Sequence, residues 1–266
     1  MVCLTVSIVT YHTDPDELRL CLESLTSDVV DAIYIVDNSA MAGDTRVRVS
    51  VRNNPKVIYI PNKNTGYGSA HNIAIRLAME GGARYHLVLN SDVRFEPEVL
   101  PRLISVMDAR PGTGQLQPRI EYPEGKLQYT VRRLPTPMDV FIRRFLPESW
   151  IRRRNNRYLY KDKDLSEEFN PSYHQGSFML LRVDALRKVG LFDERFFMYP
   201  EDIDLTRRMH REYKTLYYPK ERIVHDHRAG SYHSFRLLWI HCVNMMRYFN
   251  KWGWFYDSER REWNRE

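Results

Sequence analysis

Four short apolar runs, each followed by a change of period, constrain the first hundred residues more than any other feature. LTVSIVTY (4–11) is uncharged and rich in β-branched residues, as a strand covered on both faces should be. DELRLCLESL (16–25) then sets Leu18, Cys21, Leu22 and Leu25 at helical spacing. AIYIVDN (32–38) and KVIYIP (56–61) read as the next two strands, with a polar helical stretch between them. SAHNIAIRLAMEGG (69–82) is a helix stopped by glycines, and YHLVLNSD (85–92) is a fourth strand. This β-α-β-α-β-α-β order predicts an α/β fold with a mostly parallel central sheet flanked by helices. Ligands of such sheets sit beyond the carboxyl ends of the strands.

Polar groups converge on that edge. Thr10 and Tyr11 follow the first strand, Asp37 and Asn38 the second, Asn64, Gly66 and Gly68 the third, and Asn90, Ser91 and Asp92 the fourth. An Asp after the second strand can accept from a base imide or a ribose hydroxyl. Gly66 and Gly68 permit close backbone approach and lead into a helix N-terminus, which suits phosphate. Asp92 can hold a hard divalent cation that bridges phosphates. A nicotinamide-binding fingerprint is not present: the glycines follow the third strand, and His71 stands where the third glycine belongs. TYHTDPDE (10–17) lacks the glycines and bases that open a nucleotidyltransferase loop.

The second part is less regular. GQLQPRIEY (114–122), KLQYTVRRL (126–134), GSFMLLR (176–182), TLYYP (215–219) and RIVHDH (222–227) look like strands. VDALRKVG (183–190) is a short helix closed by Gly190, and a long aromatic helix runs from about 234 to 250. FFMYPEDIDLTRR (196–208) takes an apolar run straight into Glu201, Asp202 and Asp204, where a helix begins. Acids suit a first turn, and Asp204 can pair with Arg207 or Arg208 at helical spacing. The organisation expected is a nucleotide-binding half (1–110), a second half of the same domain (111–230) and a C-terminal amphipathic helical extension (231–266).

Seven blocks carry a resemblance: VSIVTYH (6–12), IVDNS (35–39), NTGYGSAHN (64–72), LVLNSDV (87–93), GSFMLLR (176–182), GLFDERFFMYPEDIDLTRR (190–208) and VHDHRAGS (224–231). Together they resemble the family 2 glycosyltransferases, in the branch of bacterial rhamnosyltransferases, over residues 4 to about 235. The resemblance implies a GT-A fold and inverting hexosyl transfer from a nucleotide-sugar, dTDP-L-rhamnose or else a UDP-sugar, onto a hydroxyl of a bacterial surface polysaccharide. It makes Asp202 the catalytic base, with Glu201, Asp204, Gly176 and Arg207 positioning the acceptor or the loop. It makes Asp92 and His225, with His227 as rival, ligands of Mg²⁺ or Mn²⁺. The chain departs from the pattern twice. Asn90-Ser91-Asp92 replaces the usual Asp-x-Asp, and Glu212 stands where relatives often have a turn glycine.

Charge and cysteine usage bear on partners and compartment. Cys3, Cys21 and Cys242 form no disulfide framework, and the N-terminus reads as a strand and not as a leader, so a cytoplasmic enzyme is expected. No nucleic-acid motif accompanies the net charge of +6. Residues 132–157 hold eight arginines, namely Arg132, Arg133, Arg143, Arg144, Arg152, Arg153, Arg154 and Arg157, interleaved with Phe141, Ile142, Phe145, Leu146, Trp150 and Ile151. Trp239, Val243, Met246 and Phe249 form an apolar stripe at helical spacing. Three readings stay open: the stripe packs on the sheet, it packs on a second subunit in a homodimer, or arginines and aromatics meet an anionic inner-membrane surface that presents a lipid-diphosphate-linked saccharide acceptor.

Overall fold

The computed structural model describes residues 2–140, 147–226 and 235–265. His227 and residues 141–146 of the arginine-rich run lie outside them. The elements follow in chain order as β1 (Leu4–Thr10), α1 (Pro15–Glu23), β2 (Val30–Asp37), α2 (Arg46–Val51), β3 (Val57–Pro61), α3 (Tyr67–Glu80), β4 (Tyr85–Leu89) and β5 (Val93–Arg94). There follow α4 (Val99–Asp108), β6 (Thr113–Glu121), β7 (Val131–Arg132), α5 (Glu148–Tyr158), β8 (Tyr173–His174), β9 (Phe178–Arg182) and α6 (Val183–Val189). The last four are α7 (Pro200–Glu212), β10 (Lys214–His225), α8 (Phe235–Trp252) and α9 (Ser258–Trp263).

One sheet has the order β3-β2-β1-β4-β9-β6-β10-β5. The first four strands are parallel, as are β6 and β10. β9 runs antiparallel between β4 and β6, and β5 antiparallel on β10. In register, Thr10 faces Asp37 and Asp37 faces Pro61, so three strands end together. Because β9 is reversed, it is its start, Phe178, that faces Leu89 at the end of β4. Residues from the two halves of the chain therefore meet at one edge.

The core explains the strand runs. Leu4, Val6, Ile8, Ile33, Ile35, Leu87 and Leu89 pack with α1 and α4 in one cluster, while Val88, Met179 and Leu181 pack with α6 and α7 in another. Both faces of the parallel strands are thus covered, and their lack of alternation follows.

Several expectations are corrected here. The strand read over 126–134 forms ladder pairs only at Val131–Arg132. TLYYP and residues 222–225 of RIVHDH join in a single strand, β10, whose register shifts between Tyr218 and Arg222. The arginine-rich run, for which no helix is predicted, holds α5, which buries Ile151 and Tyr158. The stripe on α8 is split: Phe249 is fully buried with Met245 and Tyr248 against Leu134, Tyr173, Phe196 and Ile203, whereas Trp239 and Met246 are exposed. Packing against α7 rotates the buried face one position along the helix.

Candidate active site

Asp202 lies in the first turn of α7. Its Oδ2 accepts the Gly176 N–H at 2.9 Å and its Oδ1 the Ile203 N–H at 2.7 Å. A Cβ added at Gly176 would lie 3.4 Å from the Asp202 Cβ, so the bare backbone is what lets these residues meet. Burial pushes the carboxyl up to about 7, against the pull of the Gly176 and Ile203 amides and the Arg132 guanidinium. Beside it Glu201 is buried, with Oε2 lacking a hydrogen-bond partner among the described residues. Burial first, and then the Asp202 charge, hold Glu201 well above the usual carboxylate range. At neutral pH the pair therefore keeps a proton.

Tyr67 joins this acid to the end of β4. Its Oη lies 2.9 Å from Asn90 Oδ1 and 2.8 Å from Gly176 O. Burial, then Glu201, Asp202 and Asp92, hold its phenol well above the ordinary range, so it stays a donor. Tyr67 lies inside NTGYG between Gly66 and Gly68, and nothing in the sequence separates it from an ordinary helix-start residue.

Those glycines serve the chain itself. Gly66 has φ of 100°, and a Cβ there would collide with Phe197 O. At Gly68 a Cβ would sit 2.9 Å from the Phe192 Cβ and 3.3 Å from the Glu201 Cγ. The Tyr67 N–H at the start of α3 donates to Phe197 O at 3.0 Å. The close approach expected for a phosphate is thus made by the 192–197 loop, which delivers α7.

At the other strand ends, Asp37 is fully buried. It accepts from the Ser39 N–H (3.0 Å), the Ser39 hydroxyl (2.5 Å) and the Tyr59 hydroxyl (2.7 Å). A carboxylate accepts about four donors, so these three leave one acceptor position unfilled. Asn38 takes the Asn62 amide at 2.8 Å and reaches Asn64 Oδ1 at 3.4 Å, knitting the ends of β2 and β3. The Thr10 hydroxyl is buried with no hydrogen-bond partner among the described residues. Tyr11 is 56% exposed beside His12. The Ser91 hydroxyl donates to Glu17 on α1 at 2.8 Å.

Asp92 and His225 do meet, with Oδ1 and Nε2 3.2 Å apart. Gln128 fixes the imidazole. Its Nε2 donates to His225 O at 2.6 Å, which turns its Oε1 to His225 Nδ1 at 2.9 Å. Nδ1 then carries the proton, and Nε2 presents a lone pair to the carboxylate. Two acceptors facing each other suit a proton or a cation between them. One carboxylate oxygen and one imidazole nitrogen are a donor set that a divalent metal accepts, with Gln128 as the orienting partner.

Asp204 and Arg207 turn away from this chemistry. Asp204 accepts from Arg208 (2.9 Å), Lys251 (2.6 Å) and the Trp252 indole (2.9 Å). Arg207 is buried, bidentate to Asp257 at 2.5 and 2.8 Å, bonded to Glu259, and stacked 4.1 Å over the Trp252 ring. Both were read as positioning acceptor or loop; they tie α7 to α8 and α9. Asn244 and Arg247 on α8 also hold Met198 O and Arg195 O, at 3.0 and 2.8 Å. Tyr199, at a left-handed φ of 94°, stacks on His241 with centroids 4.7 Å apart. A bulky residue at that φ is strained, and the strain falls directly before the acidic pair.

Residues 5–190 match the family described as Glycosyl transferase family 2. The chain belongs to that family. As a family 2 glycosyltransferase, it is 30% identical over 240 residues to N-acetylglucosaminyl-diphospho-decaprenol L-rhamnosyltransferase of Mycobacterium tuberculosis, covering 86% of this chain and 77% of the relative. It is 26% identical over 249 residues to Rhamnosyltransferase WbbL of Escherichia coli, covering 91% and 90%. Among solved structures, GalNAc-T7 with UDP, GalNAc and Mn²⁺ superposes with a TM-score of 0.62 at 14% identity over 86% of this chain, which spans 44% of that one. That likeness concerns the fold, the GT-A fold expected of a family 2 glycosyltransferase. α7, with Asp202, lies beyond the matched stretch, within the reach of the two relatives' longer alignments.

Proposed function

We propose that this glycosyltransferase moves L-rhamnose from dTDP-L-rhamnose, with inversion, onto a hydroxyl of a saccharide carried on a lipid diphosphate. Rhamnose as the sugar is supported by the names of both relatives, and a lipid-diphosphate acceptor by the name of the one at 30% identity. The observation that carries the mechanism is Asp202, buried, placed by the Gly176 N–H, with a carboxyl lifted to about 7. A base near the working pH has both the right ionisation and enough affinity for a proton. The acceptor hydroxyl gives its proton to Asp202 as its oxygen bonds to the anomeric carbon. The bond from that carbon to the diphosphate oxygen breaks, and its electron pair leaves with the diphosphate. Glu201, which keeps its proton, limits the charge on the pair.

Asp92 and His225 would hold Mg²⁺ or Mn²⁺. Among the described residues no group of three or more such ligands forms, so diphosphate oxygens would complete the shell. Such a cation supplies neutralisation of the charge on the leaving diphosphate. Thr10 and Asp37 would line the place of the pyrimidine nucleoside, Tyr11, Asn38 and Asn64 its rim, and Asn90 and Ser91 the floor beside the sugar.

The test is a donor panel: dTDP-L-rhamnose, dTDP-glucose, UDP-sugars and GDP-sugars, each with a lipid-diphosphate-linked N-acetylglucosamine acceptor, read by product mass and anomeric NMR. Transfer from dTDP-L-rhamnose with inverted configuration is expected. Asp202→Asn should lower kcat by about 10²–10⁴-fold with the donor Kd unchanged. Retention of configuration, or near-normal turnover in that variant, overturns the mechanism; a preferred UDP-sugar overturns the donor alone.

A further inference from the structure

The arginines around α5 fall into two kinds. Arg133 is paired with Asp162 and Arg154 with Asp139, at 2.7 and 2.5 Å. Arg152, Arg153, Arg157, Arg261 and Arg265 are exposed, and among the described residues no carboxylate is ion-paired to any of them. An open cleft of about 560 Å³ gathers Met138, Arg154, Arg157, Phe255, Arg261 and Arg265. A second groove shares Arg157 and adds Arg152, Arg153 and Lys161. Trp150 shares a face of α5 with Arg154 and Arg157, at i, i+4 and i+7. Large apolar side chains stand out into solvent around these charges: Trp150 at 78%, Phe255 at 77% and Tyr256 at 86%.

We propose that this face, made by α5 and residues 254–265, docks on an anionic phospholipid bilayer. Arginine forks suit lipid phosphates, and aromatic rings suit the headgroup level, where an apolar body and a polar rim are both satisfied. A free phosphate would engage the guanidinium groups and leave Trp150, Phe255 and Tyr256 in water. A second copy of the chain is a poor occupant, because a two-fold interface sets a patch against itself and would oppose five unpaired arginines with five more. The docking surface goes beyond the reaction proposed above, and it places the enzyme where a lipid-linked acceptor is found.

Vesicle sedimentation with the full chain tests it, and needs neither donor nor acceptor, so an error about the sugar leaves the result intact. Binding is expected to vesicles with 30% phosphatidylglycerol and not to pure phosphatidylcholine, and to weaken with salt. Each basic residue near an anionic surface is worth about fivefold in partitioning, so Arg152→Ser, Arg153→Ser and Arg157→Ser together should lower it about a hundredfold. Trp150→Ser with Phe255→Ser, both exposed sites, should weaken it while circular dichroism and turnover of a short water-soluble acceptor stay unchanged. The idea is overturned if the protein stays in the supernatant with anionic vesicles at low salt, or if it binds neutral vesicles equally. It is also overturned if the arginine variant changes only pyrophosphate binding or only the sedimentation coefficient of a dimer.

Discussion

At the scale of single residues, Tyr67 ties together the two sides of the candidate site. Its hydroxyl sits between Asn90, from the strand that leads to Asp92, and Gly176, whose N–H holds Asp202. Tyr67→Phe keeps the ring and removes that link. Losing one such hydrogen bond costs about 1 kcal/mol, so the melting temperature should fall by about 2–4 °C and, as the same bond aligns the site, kcat by about fivefold. The Gly176 N–H lowers the Asp202 pKa, so a slackened Gly176 should also move the midpoint of the kcat–pH profile above about 7. A profile that does not move, with unaltered kcat, reduces Tyr67 to packing. The strand ends of Asp92 and the asparagines were legible from the changes of period, whereas Asp202 was singled out by the resemblance, because acids alone at a helix start read equally as a cap. The sequence could not show Gln128, Arg132 or Tyr67, whose roles come from contacts across tens of residues. Nor could it show the contact of Gly66 and Gly68 with the 192–197 loop, since a glycine that admits a phosphate and one that admits a neighbouring carbonyl look identical in a string.

At the scale of elements, α7 is held from behind by the last helices. The Arg207–Asp257–Glu259 cluster lies over Trp252 in a largely buried seam. Arg207→Met leaves buried Asp257 with Arg260, 3.7 Å away, as its remaining cation, a loss of about 3 kcal/mol. For a chain of this size the melting temperature should fall by about 10 °C. Arg207→Met with Asp257→Asn removes the stranded charge while keeping the cap on the Arg260 N–H, and should recover part of the loss. Equal melting temperatures for the single and double variants would mean the seam is held by packing alone. The four parallel strands were legible because burial on both faces leaves a run without alternation. α5 was not, because its polar face outweighs the short buried side of Ile151 and Tyr158. β7 was overread, since a strand-like pattern does not specify how many ladder bonds the partner offers.

At the scale of the whole molecule, buried titratable groups pull stability in two directions. Burial lowers His86 and His174 to about 3 and holds His71 well below its usual range. Neutral when folded, they take up protons on unfolding below about pH 6.5, so their contribution is lost as pH falls from there. Glu201 and Asp202 act oppositely: raised when folded, they stabilise at low pH and lose that contribution as pH rises, Asp202 through about 7. His174→Gln should therefore flatten the fall in unfolding free energy between pH 6 and 4.5 by about one proton, or about 1.4 kcal/mol per pH unit. Urea titrations across that range check it, and parallel curves would place the acid sensitivity elsewhere. The reversed strand β9 has a consequence in time. It pairs with β4 and β6 on either side, yet its residues leave the ribosome about ninety positions after those of β4. At 5–20 residues per second, the apolar edge of β4 stays open for roughly 5–18 s of synthesis. That half-built sheet is the nascent chain's most adhesive state, and the stage at which a chaperone that shields strand edges would raise its yield.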